Sequence, residues 1–314
     1  MELGIIGLGR MGLGLALRAA QRGHEVVAWD VSDHARRRAH DQGLGAPATV
    51  DDLVEALRPP RAIFLYVPHG DPVDLTLQRL VPLLDPGDVV VDGGNSHWHD
   101  SARRHQELER SQIRFLDVGT SGGTSDALGW QGAAFMVGGD PDAFEFVAPV
   151  LRDLAVDDGA VHHVGPASTG HFAKLVHNAI EFGMLQAIGE GVELLARSPH
   201  ADDIDLAALF EHWSHGTVIR GWLIELMANA LRAQPGLEQL STHVEDTGEV
   251  KWIVDWASDR DIPIPVTALA QQMLMVYRDH GSPAAKAVAL LRNQFGGHPL
   301  HGTDDVDVTP GAGS

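Results

Sequence analysis

Leu3-Gly4-Ile5-Ile6-Gly7-Leu8-Gly9-Arg10-Met11-Gly12 opens with a short apolar run, breaks into spaced glycines and passes into a helical pattern. Strand, glycine turn and helix in that order make the start of a dinucleotide-binding βαβ unit. Gly7 allows a tight turn, Gly9 lets the main chain approach a pyrophosphate, and Gly12 lets the helix pack closely on the strand; the phosphates sit on the helix N-terminus. Alone, this glycine spacing is a weak pattern. Asp30 strengthens it by ending the next apolar run, Glu25-Val26-Val27-Ala28-Trp29, 18 residues after Gly12, where an acidic residue meets the adenosine ribose. A carboxylate there accepts hydrogen bonds from a free 2′-hydroxyl and repels a 2′-phosphate, by about 4 kcal/mol per charge pair at ~4 Å and an effective dielectric near 20. NAD is therefore expected in preference to NADP, with NADP possible. Arg36, Arg37 and Arg38 could offset the repulsion, but their simpler reading is an exposed helix face.

Outward from this unit, further apolar runs lie at 62–67, 88–92, 114–118 and 133–137, separated by helical patterns near 10–22, 33–42, 50–57, 71–83, 97–111 and 141–153. Unbroken apolar strands alternating with helices predict a doubly wound parallel sheet covered on both faces, an α/β Rossmann-like domain over residues 1–166. After Gly165-Pro166 the period changes. Apolar residues recur at helical spacing from Ser168 to about Arg197, then near 204–214, 217–233, 247–258, 264–280 and 282–295. Residues 167–301 are expected to form an all-α domain entered through one long helix. Residues 302–314, rich in Gly, Asp and Thr, are expected to be a disordered tail.

Composition narrows the function. The 314 residues suit two domains better than one, and 44% hydrophobic content can fill a sizeable core. The absence of cysteine excludes disulfides, thiolate chemistry and cysteine-based metal sites. A net charge of −20 repels nucleic acid and anionic membranes, so neither is an expected partner, and an anionic substrate needs a locally basic pocket. No apolar run approaches the ~20 residues of a membrane span. No basic stretch and cleavage site precede Leu3, so a cytoplasmic location is expected. The 18 histidines show no His-Glu-x-x-His spacing, and no metal is expected.

A second stretch carries the chemistry: Gly170-His171-Phe172-Ala173-Lys174-Leu175-Val176-His177-Asn178-Ala179-Ile180-Glu181. Lys174, His177, Asn178 and Glu181 stand at offsets 0, 3, 4 and 7, on one helix face, with Phe172, Leu175, Val176 and Ile180 opposite. A solvated face with an ion-pair ladder has the same spacing. The position favours a site, because this helix begins where the dinucleotide domain ends and ligand clefts form between domains.

These residues resemble a known family. Residues 170–183 are similar to the signature of decarboxylating 6-phosphogluconate dehydrogenases, within the β-hydroxyacid dehydrogenase superfamily, in which His, Lys, His-Asn and Glu follow in that order. Asp92-Gly93-Gly94-Asn95-Ser96 resembles the family's substrate loop and Ser121-Gly122-Gly123 its second one. Trp213, the segment Gly216–Leu223 and the segment Leu291–His298 are also similar, so the likeness runs over residues 3–298, at the length of the family's short branch.

The resemblance implies a mechanism. Lys174, neutral in the reactive complex, takes the proton of the C3 hydroxyl as hydride leaves for the nicotinamide. Carbon dioxide is then lost, and Glu181 protonates C1 to release a ketopentose. His177 and Asn178 complete the catalytic set. Asn95, Ser121, Gly122 and Gly123 join these four residues in holding the sugar acid. Gly7, Leu8, Gly9, Arg10, Met11, Gly12, Asp30, Val67 and Asn95 are the implied cofactor contacts. Arg292 and His298 match phosphate ligands that reach in from a partner subunit. The helical domain thus serves substrate and oligomer, and the chain is expected to be a homo-oligomer, at least a dimer. The implied setting is gluconate utilisation and the pentose phosphate pathway.

Two positions depart from the family pattern. Phe182 stands where a tyrosine contacts the substrate phosphate, and Leu274 or Met275 where a helix supplies an arginine, with Arg278 a turn late. The C6 group is therefore open between phosphate, sulfonate and none. A non-decarboxylating β-hydroxyacid dehydrogenase shares the glycine fingerprint, the Ser-Gly-Gly segment and the Lys…Asn pair. Glu181, His177 and the Arg292–His298 segment favour the decarboxylating enzyme. A nucleotide sensor without catalysis has no reason to keep Lys174 with Glu181.

Overall fold

The computed structural model describes residues 1–122, 132–234, 240, 244 and 248–278. The opening run forms β1 (Glu2–Ile6), the glycine turn leads into α1 (Arg10–Gln21), and the next run forms β2 (Glu25–Trp29). α2 (Asp33–Asp41), α3 (Val50–Glu55), β3 (Ala62–Leu65) and α4 (Asp71–Leu80) follow, then β4 (Val89–Asp92), α5 (Trp98–Glu109) and β5 (Arg114–Gly122). β6 (Ala133–Gly139), α6 (Pro141–Leu154) and β7 (Val161–Gly165) complete a seven-stranded sheet of order β2-β1-β3-β4-β5-β6-β7.

Strands β1 to β5 pair in parallel, and every residue of β3 and β4 is buried, as unbroken apolar runs require. Phe64 and Val91 face the side covered by α1 and α6, whereas Ile63, Leu65 and Val90 face the side covered by α3, α4 and α5. Each side chain of this kind, fully buried, contributes about 1.5–3 kcal/mol. The last strands depart from an all-parallel sheet: β6 runs antiparallel to β5, and β7 runs parallel to β6. A strand that returns beside its predecessor needs no crossover helix. β7 alternates exposed and half-buried residues, as an edge strand does, so no apolar run marks it. The chain leaves β1 toward β2 on one side and β3 on the other, and this switch point is where a doubly wound sheet opens a crevice.

α7 (Thr169–Ala196) is the expected long helix, 28 residues. α8 (Leu206–Ser214), α9 (Trp222–Ala233), α10 (Glu249–Ser258) and α11 (Pro265–Arg278) follow. α9 starts later than its apolar pattern suggests, because Gly216 takes a φ of 80° and Gly221 is extended. The helix expected over 282–295 and the tail from 302 lie outside the described residues. The chain packs into two compact units, Met1–Met184 with Gly248–Thr267, and Leu185–Thr247 with the chain from Ala268. The first holds the sheet, the start of α7 and α10. The second has its own small core of Val192, Phe210, Ile224, Ala228 and Leu231. Among the described residues no helix is long and apolar enough to cross a membrane.

Candidate active site

Packing separates the three glycines of the opening turn. A β-carbon on Gly7 would fall 2.4 Å from the Tyr66 carbonyl oxygen, and one on Gly12 would fall 1.9 Å from that of Gly7, so neither position admits a side chain. A β-carbon on Gly9 would meet nothing within 4 Å. Gly9 caps α1 with no side chain of its own, and no acidic residue occupies the first turn. The first N–H groups of a helix have no acceptor inside it, and open space before them fits a pyrophosphate. Arg10 is exposed beside them. The Asp30 carboxylate follows β2 and is held by two main-chain donors, Leu8 N–H at 2.7 Å and Ser32 N–H at 2.8 Å.

Of the nearby arginines, Arg37 and Arg38 are exposed as expected and Arg36 is not. Arg36 is half-buried, donates to the Asp30 carbonyl oxygen at 2.5 Å, pairs with Asp33 and lies 6.0 Å from the Trp29 ring centre. Arg38 donates to the Leu8 carbonyl oxygen at 2.8 Å. Arg38 thus braces the turn that carries the glycines, and Arg36 the chain just beyond β2.

Val67, just past β3, stands between that turn and the next loop. A β-carbon on Gly7 would lie 3.1 Å from Val67 Cγ1, and one on Gly94 would lie 3.0 Å from its carbonyl oxygen. Asp92, at the end of β4, accepts from Gly94 N–H at 3.2 Å and from the Ser96 hydroxyl at 2.7 Å. Arg104, fully buried on α5, donates to Asp92, Ser96, Asp74 and the Gly70 carbonyl oxygen. Breaking such a buried pair costs about 3–5 kcal/mol, so the loop backbone is firmly held. Asn95 is exposed on this loop and donates its amide N–H to Glu249 Oε1 at 3.1 Å.

Asp117 fastens α7 to the sheet. Its carboxylate, buried within β5, accepts from the N–H groups of Ser168 at 2.7 Å and His171 at 2.8 Å, capping the helix from inside the core. Burial pushes its pKa up, while the neighbouring His171 and these N–H bonds favour the ionised form. Two glycines permit the close approach. A β-carbon on Gly170 would lie 2.2 Å from the Asp117 carbonyl oxygen, and one on Gly119 would lie 2.4 Å from Lys174 Cβ.

Lys174 is buried, only 9% exposed. Burial lowers the pKa of its ammonium; the carboxylates of Glu181 and Glu249 act in the opposite direction. One turn further, His177 Nε2 lies 3.2 Å from Ser121 Oγ, and its Nδ1 lies 3.3 Å from Asn178 Oδ1 and 3.6 Å from the Glu181 carboxylate. The structure thus brings Ser121 together with His177, Asn178 and Glu181 of the helix that carries Lys174, and Asn95 is bonded to Glu249, whose carboxylate acts on Lys174. Ser121 and Gly122 end strand β5, opposite Ala134 and Ala133, rather than lying in a loop. Gly123, Arg292 and His298 lie outside the described residues. The buried apolar face of α7 also differs from its pattern: Phe172, Leu175 and Ala179 pack with Trp98, Val250 and Ile253, whereas Val176 and Ile180 are exposed.

Residues 2–165 match the family model described as the NAD binding domain of 6-phosphogluconate dehydrogenase, and residues 170–273 match the one described as its C-terminal domain. The chain belongs to the 6-phosphogluconate dehydrogenase family. The Bacillus subtilis protein YqeC is 41% identical over 300 residues, covering 95% of this chain and 98% of its own length. A Haloferax volcanii protein named as an NAD-dependent, decarboxylating 6-phosphogluconate dehydrogenase is 40% identical over 306 residues, 97% of this chain and all of the relative. The solved 6-phosphogluconate dehydrogenase of Plasmodium falciparum superposes with a TM-score of 0.80 at 25% identity, over 100% of this chain and 67% of that one.

Where this member departs from the 6-phosphogluconate dehydrogenase pattern, most of the side chains pack or bond locally. Phe182 packs against the Trp98–Leu175 cluster, Leu274 is buried, Met275 is exposed, and Arg278 donates to the Leu274 carbonyl oxygen at 3.2 Å. Sequence reasoning missed Asp117, Gly119 and Glu249. An acid inside the apolar run Phe115-Leu116-Asp117-Val118 was a readable signal for the first. No spacing links Glu249 to Lys174.

Proposed function

We propose that the chain is a cytoplasmic enzyme that oxidises and decarboxylates 6-phospho-D-gluconate, or a sugar acid differing at C6, to a ketopentose (ribulose 5-phosphate) and carbon dioxide, preferring NAD to NADP. The observation that carries this reading is Lys174, a buried amine with lowered pKa on one helix with Glu181, beside Ser121, His177 and Asn178. Held at the glycine turn and Asp30, a nicotinamide dinucleotide supplies the hydride acceptor. Neutral Lys174 accepts the proton of the C3 hydroxyl as the adjacent C–H bond breaks. The resulting ammonium donates to the new ketone oxygen, where charge develops as the carboxylate departs as carbon dioxide. The Glu181 carboxyl then gives a proton to C1 of the enediol. Asn95, Ser121, His177 and Asn178 supply hydrogen bonds that orient the carboxylate and hydroxyls.

The test is to supply the chain with NAD or NADP and 6-phosphogluconate, gluconate or a 6-sulfonated analogue, following nicotinamide absorbance and evolved gas together. Equal amounts of reduced cofactor and carbon dioxide are expected with one of these acids. Reduction without carbon dioxide points to the non-decarboxylating alternative, and no reduction with any acid overturns the proposal.

The same reading makes the chain a homo-oligomer, at least a dimer, with Arg292 and His298 completing a neighbour's site. An exposed apolar stripe on α7, formed by Val176, Ile180 and Met184 at successive turns, supports it, since contiguous apolar surface marks an interface. Sedimentation at assay concentration is expected to give a dimer or larger; a fully active monomer contradicts this.

A further inference from the structure

Glu249 opens α10 with only 7% of its surface exposed. A carboxylate is rarely buried unless it is paired, and its partners point to the site above. Its Oε1 accepts the Asn95 amide N–H at 3.1 Å. Val250 and Ile253 of the same helix pack with Leu175 and Ala179, the neighbours of Lys174 and Asn178. α10 is thus docked on the helix of Lys174, with Glu249 in its first turn, where the helix dipole favours negative charge.

We propose that Glu249 is a positioning residue of this site: it holds the Asn95 amide in place and, from a helix packed on that of Lys174, supplies a second carboxylate besides Glu181 to the surroundings of that amine. This rests on Lys174 being the base of the proposed reaction. Burial drives the Lys174 amine toward its neutral form, and Glu181 and Glu249 oppose that. The other titratable groups on the elements packed here are His177 on the same helix, Asp117 and His171 at its start, Lys251 and Asp255 on α10, and His69 and His97, whose rings meet Trp252 of α10; from β5 the neutral Gly119 and Ser121 face this part of α7. The ammonium form attracts a sugar-acid carboxylate, and the neutral form takes the proton. Glu249 adjusts the balance between the two.

The chain has three lysines, Lys174, Lys251 and Lys286. The titration of Lys174 can therefore be read without substrate, from the pH dependence of its acetylation by acetic anhydride, with peptides quantified by mass spectrometry and Lys286 as internal reference. Glu249→Gln keeps the side-chain length and an acceptor for Asn95 while removing the charge. Its Lys174 midpoint is expected to fall by about half a pH unit or more, the direction for losing a nearby opposite charge. Glu249→Asp should recover most of that fall. In turnover the acid limb of kcat/KM should move down with the midpoint, while KM for the cofactor stays unchanged. An unmoved midpoint in Glu249→Gln overturns the proposal, and so does an equal displacement in the Gln and Asp variants, which marks a packing change. If Glu249→Gln does not fold, Glu249→Ser, well suited to a helix start, repeats the test. A shifted midpoint in a chain that oxidises no sugar acid supports the placement of Glu249 and counts against the proposed substrate. An unmoved midpoint in an active chain does the reverse.

Discussion

Lys174→Met is expected to lower kcat by at least about 10²-fold, the scale on which a positioned general base contributes, while cofactor affinity is little changed. Methionine matches the length of lysine, and position 174 is already buried against Gly119, so the apolar side chain suits its surroundings. The glycine turn and Asp30 are held by bonds among Leu8, Ser32, Arg36 and Arg38, none of which belongs to α7. The two effects therefore separate: turnover falls while NAD binding persists. The pH profile gives a second readout. The base works when deprotonated, so kcat/KM of the parent falls as pH drops through the pKa of Lys174. Burial places that limb below the ordinary lysine range, and it should be missing from the residual activity of the variant. Near-normal turnover, or an acid limb unaltered by the substitution, removes Lys174 from the proposed role.

The strand and helix order through Leu154 was legible because a strand buried on both faces must be an unbroken apolar run and a covering helix must repeat near 3.6 residues. β7 escaped because an edge strand half in water carries no such run. The central part of the candidate site was legible for the same reason: Lys174, His177, Asn178 and Glu181 lie within two turns of one helix, and helix geometry alone aligns them. Tertiary partners have no period. Asp117 caps α7 from a neighbouring strand, Arg104 stands behind Asp92, and Glu249 reaches Asn95 from a helix far along the chain. Which face of α7 is buried was also settled elsewhere, by Trp98 and α10, and this leaves Val176 and Ile180 exposed while Lys174 and Asn178 are covered. The Arg36–Arg38 run resembled a solvated face because a backbone carbonyl as hydrogen-bond partner leaves no trace in side-chain composition.

The unmodified chain is expected to favour NAD over NADP in kcat/KM by roughly 10- to 10³-fold, each factor of ten being about 1.4 kcal/mol. The preference rests on Asp30, whose carboxylate is fixed beyond β2 by the N–H groups of Leu8 and Ser32. A carboxylate there can take a free ribose hydroxyl as donor, whereas a 2′-phosphate meets like charge. The upper scale of that repulsion is about 4 kcal/mol at ~4 Å and a dielectric near 20, and solvent reduces it. Arg36 and Arg38 reduce it further by proximity, although both direct hydrogen bonds to main-chain carbonyls of Asp30 and Leu8 rather than outward. Val31, 81% exposed beside Asp30, offers the position from which to reverse the preference. Asp30→Asn with Val31→Arg removes the repulsion and adds a guanidinium that can pair with phosphate in bidentate fashion, so the double variant should move toward NADP. Kinetics with both cofactors on parent and variant decide the matter, and fluorescence titration with NADH and NADPH gives the same comparison without a substrate. A parent that already prefers NADP would mean that Arg36, Arg37 and Arg38, not Asp30, govern the ribose end of the pocket.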